Sequence, residues 1–530
     1  MNHSGTKFFS ELTICLILLF TGMIFVPMSM TGINLEFIPG DLGDSRFNNY
    51  IFEHGYLWLT GEIHSFWDAP FMYPEQGVIL YSDNLLGTLP VYAFFREIGN
   101  DRETSFQLWI WIMFALNFIC CFVAAYHFTG SIIISACSAY IFTFSIYIFG
   151  QSNHAQVFPK FMIPLVVYWC YKYLVTLEIK YFSFTIAGVI IQIYCGMYLG
   201  LFSILGVLSF FISYLVIYKD LKPVYQFKKI SILAKHIGVV AISVVLLSPI
   251  LFPYINEIEK SGYRNWDQVL SSLPEIRSYL YSTETSKTWA FLSKHGKKHF
   301  IYWWNHQIFA GIVPLIAFIA GVAFIPVKNN RLKLTKLFAL SSFIVFILTL
   351  NVSGYSLYKL IYYLPGYGSL RSLDRIINLN IFFIASLTGL LALYLIDKKK
   401  LLYPMIYLLP VLLITDNLVN GDKIVRFEKN TAQERVNYIK DVIRSKAGYY
   451  LGPIAYLPYQ VPDKKFENHL DVMLACQDLG IPCVNGYSGS VPKGYNEFDQ
   501  SISEAGLISW LKKKGLTEDD VVIIRELQFK

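Results

Sequence analysis

Charge is scarce in this chain. Asp, Glu, Lys and Arg make up 15% of its 530 residues, where soluble globular proteins carry about 25%. A soluble chain of this length would divide into several domains with charged surfaces, and that class is excluded. Cysteine is sparse too. Of eight residues, Cys15, Cys120, Cys121, Cys137, Cys170 and Cys195 lie inside apolar runs, where a thiol behaves as a small hydrophobe. Their spacing matches no zinc-binding pattern. The first apolar run ends VPMSMTG with no small-residue cleavage site, so it reads as a retained signal anchor. The net charge of +7 comes from basic residues in short connections and gives no nucleic-acid signature.

Apolar residues are abundant, at 55% of the chain with 17% aromatic. They fall into runs long enough to cross a bilayer, for which about 20 residues suffice. Spans are expected near residues 9–30, 105–127, 131–149, 157–177, 182–198, 199–218, 237–254, 307–327, 334–351, 376–396 and 401–416. The fold class is therefore an all-α polytopic membrane protein with about eleven transmembrane helices. The 182–218 stretch carries no charge and is too long for one span; Gly196 and Gly200 around Tyr198 suggest a break. With that break the basic clusters Lys219–Lys235, Lys328–Lys336 and Lys398–Lys400 share one side, which the positive-inside rule makes cytoplasmic, together with the amino terminus. If the stretch crosses only once, every later segment changes side.

Directly after the first span comes a polar stretch (31–104) rich in acids, aromatics and histidines. Asp41, Asp44, Glu53, Glu62, Asp68, Glu75 and Asp83 lie here beside a membrane surface, where ionisable groups are costly unless solvated, paired or functional. This external loop is where chemistry is expected. Asp41 and Asp44, three apart, would share a divalent metal such as Mg or Mn if they sat on one helical turn, but the glycine-rich turn around them (Gly40, Gly43) leaves metal use open. His54 and His64 are loop histidines, and the loop's aromatics suit sugar stacking or an interfacial helix equally.

Beyond residue 417 the composition becomes that of a soluble domain. Residues 432–445, 468–480 and 503–515 have helical spacing, and 452–459, 481–489 and 521–527 are strand-like, so 418–530 is expected to be a small extracytoplasmic α/β layer. The domains are then 1–417 and 418–530. Cys476 and Cys483 lie in this tail, where a disulfide is chemically permitted and spacing alone does not decide it.

Several short motifs, in order along the chain, resemble the GT-C class of integral-membrane glycosyltransferases, more narrowly a poorly characterised bacterial branch of it. They are Gly43-Asp44 with Asn48, Tyr73-Pro74, Ser82-Asp83-Asn84-Leu85-Leu86-Gly87, Asn153-His154 with Ile163-Pro164, Tyr198, Pro365-Gly366 with Arg371 and Arg375, and Asn485-Gly486-Tyr487-Ser488-Gly489 with Pro492. The resemblance implies a carboxylate of the first external loop at the catalytic centre and a sugar donor carried on a polyprenyl phosphate. It makes Asp44 the first candidate for the base that takes the proton of an acceptor hydroxyl, with inversion at the sugar, and Asp41 and Asp83 the other acids. Capping of a helix beginning near Phe47 is a compatible role for Asp44. Arg371 and Arg375, four apart and so on one helical face if the helix starts early, suit the donor phosphate because a guanidinium binds two oxygens at once; Lys160 either joins them or snorkels to water. His154, Asn153, Tyr198 and His64 are candidate sugar or acceptor contacts. The 255–306 loop, with Lys260, Arg264, Arg277, Lys294, Lys297 and Lys298 beside Trp266, Tyr279 and Tyr281, would guide an anionic carrier or form a solvated face. The implied partners are a polyprenyl-phosphate sugar, membrane lipid and a glycan, lipid or protein acceptor, at a bacterial inner membrane with the catalytic face outside. The alternatives are a transporter or flippase for a lipid-linked glycan, which needs polar residues deep in the spans, where Gln107, Asn117 and Gln192 are nearly all there is, and a non-catalytic envelope-glycan assembly protein.

Overall fold

The computed structural model describes residues 2–294, 296–300, 302–323, 329–398, 404–447, 452–458 and 465–526. Each of the eleven expected apolar stretches contains a helix. Lys328, Lys399, Lys400 and residues 324–327 and 401–403 lie outside the described residues. Seven helices among the described residues are long and apolar enough to cross a membrane, from Phe8–Thr31 to Leu373–Lys398. Met162–Thr176, Ile179–Cys195, Ile312–Ala323 and Met405–Asp416 are shorter. The 182–218 stretch does break: one helix ends at Cys195 and the next begins at Met197, with Gly196 between. The chain folds back there so closely that a Cβ on Gly200 would lie 2.4 Å from the Ile193 side chain.

The chain forms two compact units, each assembled from separated segments. The first comprises Met1–Ser29, Ile110–Gln151 and Val157–Ile424 and holds nearly all the apolar helices. Ile132–Phe144 packs on Asn2–Phe25 and Ile377–Lys398, and Asn330–Thr349 on Met197–Tyr218 and Ile377–Lys398. Small residues let these helices approach: Gly22 leaves room for the Phe144 ring, and Gly389 meets Ser138, whose hydroxyl donates to Ala385 O at 3.0 Å. Exposed Ile242, Val245, Leu246 and Phe252 on Ile230–Ser261 give that helix a lipid-suited surface.

The second unit comprises Met30–Trp109, Ser152–Gln156 and Val425–Lys530, so the first loop and the tail are one body. Strand Phe37–Pro39 pairs antiparallel with Arg426–Glu428, in register Phe37 to Glu428. Strands Ile454–Pro458 and Val522–Glu526 pair in parallel. Helices Asp44–Leu59, Lys429–Ala447 and Lys465–Leu479 pack together with them. The tail's expected helices and outer strands are present; 481–489 makes only a bridge at Cys483, to Ile454. Cys476 and Cys483 are separate buried thiols, with no disulfide between them.

Candidate active site

In the second unit the chain leaves strand Phe37–Pro39 through Gly40, whose φ of +83° is left-handed and whose missing Cβ makes room for Asn153 Oδ1. Asn153 Oδ1 accepts from Asp41 N at 3.1 Å, and Asp41 Oδ1 accepts from Gly43 N at 3.0 Å. Asp41 thus closes the turn. Helix Asp44–Leu59 starts immediately after, with Gly43 at its N-cap and no side-chain cap, so Asp44 is the first helical residue and does not cap the helix. A carboxylate at a helix N-terminus is favoured by the backbone dipole.

Asp44 is held from two directions. Tyr487 donates its hydroxyl to Asp44 Oδ1, and its ring meets Phe47 edge-on at 5.5 Å. His154 Nδ1 lies 2.8 Å from Asp44 Oδ2. The His154 loop is pinned on both flanks: Ser45 Oγ donates to Asn153 O at 3.4 Å, and Asn48 Nδ2 donates to Gln156 Oε1 at 3.0 Å and to Asp44 O at 2.8 Å. The Tyr487 loop is pinned through Asn485, which exchanges hydrogen bonds with the Tyr456 backbone (2.8 and 3.1 Å), and through Gly486 N, which donates to His469 Nδ1 at 3.1 Å. The Tyr73-Pro74 turn laces onto the same loop: Tyr73 N donates to Cys483 O at 2.9 Å, Cys483 N to Pro70 O at 2.8 Å and Met72 N to Asn485 O at 3.3 Å.

Behind this cluster lies a buried charge network. Arg46 Nη2 donates to Asp471 Oδ1 at 2.6 Å, and Arg435 holds Asp471 Oδ2 through Nε at 3.0 Å and Nη2 at 2.6 Å. Asp471 is fully buried, so the network ties helices Lys429–Ala447 and Lys465–Leu479 to the first turn that carries Asp44. Asp83 is buried in the turn after Val78–Tyr81. His64 sits exposed beyond the other end of helix Asp44–Leu59, away from Asp44. Among the described residues no group of three or more His, Cys, Asp or Glu side chains converges as a metal-ligand set would.

The first unit carries a separate cationic cluster built on Tyr198. Its hydroxyl accepts from Arg371 N at 2.8 Å, and the Arg375 guanidinium stands over its ring at 4.7 Å. The regular helix begins only at Leu373, so Arg371 precedes it and the two arginines do not share a helical face; Tyr198 brings them together instead. Arg264 completes the group. Its N donates to Gly368 O at 3.1 Å and its Nε to Ser369 O at 3.3 Å, and burial together with the charge of Arg371 lowers its pKa. Arg375 Nε has no hydrogen-bond partner among the described residues.

Lys160 does not belong to that surface. Its ammonium is buried, donates to Tyr147 Oη at 2.6 Å and faces the Phe142 and Tyr147 rings. Tyr147 donates on to Asn378 Oδ1 at 3.0 Å, and Asn378 Nδ2 donates to Gln151 Oε1 at 2.8 Å and Arg375 O at 3.1 Å. Lys160 therefore supports the arginine cluster through a chain of hydrogen bonds and neither snorkels nor presents its charge. The polar span residues are committed to backbone: Gln107 Nε2 to Leu35 O and Phe37 O, Asn117 Nδ2 to Phe158 O, and Gln192 Nε2 to Pro159 O. Tyr487 and Arg264 join these clusters although the sequence gives neither a role of its own. The first stands inside the Asn485–Gly489 motif and the second among the basic residues of the 255–306 loop, but nothing local marks either one.

No family model and no curated protein matches the chain. Among solved structures it resembles the oligosaccharyltransferase of Archaeoglobus fulgidus in its apo form, with a TM-score of 0.55, 10% identity, and coverage of 96% of this chain and 69% of that one. A second structure of that enzyme, tethered by a disulfide to an acceptor peptide with an NVT sequon, gives 0.54 and 9% over 97% and 69%. ArnT from Cupriavidus metallidurans, with undecaprenyl phosphate bound, matches at 12% over 90% of each chain, but its TM-score of 0.44 is too loose to bear on the fold. The architecture of this chain is that of a multi-pass helical membrane protein with the GT-C-type fold.

Proposed function

We propose that the protein is a membrane glycosyltransferase that moves a sugar from a polyprenyl-phosphate carrier to an acceptor hydroxyl at the outer face of a bacterial inner membrane, with inversion. Such a transfer needs a base for the acceptor proton and positive charge for the departing phosphate. The observation that carries the reading is the Asp44 cluster: a carboxylate at a helix start, fixed by a tyrosine and a histidine from distant segments and braced from behind by the Arg46–Asp471–Arg435 network. Arg264, Arg371 and Arg375 suit the phosphate. The first unit also has a groove of about 240 Å³, lined chiefly by aliphatic and aromatic side chains such as Pro314, Phe318, Phe346, Ile377 and Ile384, which suits an isoprenoid tail. Transport is disfavoured because the amide groups of Gln107, Asn117 and Gln192 donate to backbone carbonyls and Lys160, Tyr147, Asn378 and Gln151 bond to one another.

The test uses purified full-length protein in proteoliposomes, undecaprenyl-phosphate-linked hexoses and pentoses, and a membrane glycan and lipid extract as acceptor pool. Consumption of one donor with release of undecaprenyl phosphate is expected, and Asp44→Asn is expected to slow it about a hundredfold or more. Wild-type turnover in Asp44→Asn would remove Asp44 from the centre of the chemistry.

A further inference from the structure

We infer that the 352–364 loop of the first unit is a lipid-docking surface, seated in the head-group boundary of the bilayer and holding Arg264 and Arg371 at the depth of lipid phosphates. The loop joins two membrane-spanning helices, Asn330–Thr349 and the one that begins at Leu373. Its outward face is apolar and uncovered. Tyr355, Leu360 and Tyr363 are 82%, 75% and 68% exposed, and Val352, Leu357 and Leu364 are exposed beside them. Single exposed apolar side chains are ordinary, but this many in one short loop mark an interaction surface.

The loop does not turn that face inward, because its other face is already built. Tyr358 is fully buried and donates its hydroxyl to Tyr367 O at 3.1 Å; Tyr362, also buried, donates to Arg264 O. Tyr367 in turn donates to Leu201 O at 2.9 Å. The entry is a closed turn, with Val352 N donating to Tyr355 O at 2.9 Å and Tyr355 N to Val352 O at 3.0 Å. Tyr355, Leu360 and Tyr363 therefore project from a fixed base.

The position of that base identifies the occupant. Ser356 Oγ donates to Leu348 O in the last turn of Asn330–Thr349, and Leu201 lies in the second turn of Met197–Tyr218. The loop is thus held against the ends of two spans, where the surface of the bilayer lies. Tyrosine and tryptophan favour that depth because one end of the ring is apolar and the other polar. Trp266 meets Tyr362 edge-on at 5.4 Å, and the Lys359 ammonium stands 5.5 Å from the centre of the Trp266 ring. From 351 to 371 the chain carries Lys359 and Arg371 and no acid, a balance that suits phosphate-bearing head groups. Arg264 shares the same base, through Tyr362 at its carbonyl and Gly368 O at its N.

The inference stands whether or not a sugar is transferred, and the test reads depth alone. Full-length protein carrying Leu360→Cys or Tyr363→Cys is labelled with a nitroxide in nanodiscs of phosphatidylethanolamine and phosphatidylglycerol. Wild-type protein treated alike gives the background from the native thiols. Collision rates are measured with oxygen, which concentrates in lipid, and with a water-soluble nickel chelate. Oxygen is expected to exceed the chelate at both positions, as at Val245→Cys on the lipid-suited helix Ile230–Ser261, with the reverse at the exposed Asp519→Cys of the second unit. A water-like pattern at either loop position would overturn the docking. Low rates with both reagents would also overturn it, by showing that protein, such as a second copy of this chain, covers the loop.

Discussion

Arg264, Arg371 and Arg375 gather on Tyr198 although like charges repel, and the pKa of Arg264 is lowered by its burial and by Arg371. An anion relieves that repulsion. Arg375 is the buried member, with its Nε unpartnered among the described residues, so it has the most to gain from a phosphate oxygen. A hydrogen bond to a charged group is worth about 1.5–3 kcal/mol. Arg375→Ala is accordingly expected to weaken binding of undecaprenyl phosphate to detergent-solubilised protein by about ten- to a hundredfold. Arg375→Lys should recover little of it, because an ammonium lacks the planar fork. Titration of each variant with the lipid checks this; equal affinity for wild type and Arg375→Ala would move the phosphate elsewhere.

Among the elements, helix Asp44–Leu59 depends on its partners for the placement of its first turn. Removing one member of a buried ion pair typically costs about 3–5 kcal/mol, since the other charge is left in a dry environment. Asp471→Asn strands Arg46 and leaves Arg435 only Glu467, at 3.6 Å, and is expected to lower the thermal midpoint clearly, whereas substituting the exposed His64 should leave it unchanged. Scanning calorimetry or a thiol-reactive unfolding assay would measure both. What could be read in the sequence at this scale follows from local physics. The break at Gly196 is legible because an uncharged stretch of that length cannot be one span, and the tail's helices at Lys429–Ala447 and Glu504–Lys513 are legible from their spacing. Distant partners were not legible. The 481–489 segment has strand-like residues, yet its backbone is used by Pro70 and Tyr73. Spacing put Arg371 and Arg375 on one face, but the helix starts between them and Tyr198 sets their relation. Lys160 looked like an interfacial cation, and only the fold reveals Tyr147 beneath it.

For the molecule as a whole, the second unit carries a built-in sensitivity to acid. Burial lowers the pKa of both His54 and His469 from 6.5 to about 4. Unfolded chains bind these protons at higher pH than the folded unit does, so the stability they support is complete above about pH 6.5 and is lost as the pH falls towards 4. Each contributes on the order of 3 kcal/mol at most to that loss. His469 accepts from Gly486 N, and a protonated ring cannot, so the Tyr487 loop should loosen first. Protection of the Gly486 and Tyr487 amides, taken relative to intrinsic exchange at each pH, is expected to fall between pH 6.5 and 4.5 in wild type and to lose that dependence in His469→Gln; protection that does not change with pH would show that His469 does not hold the loop.

Tyr487 and Asp44 are 443 positions apart in the chain. A ribosome threading this protein into the bilayer delivers the acid long before its phenol partner. Until then the carboxylate lacks the phenol's hydrogen bond, and a chain clipped ahead of Tyr487 never acquires it.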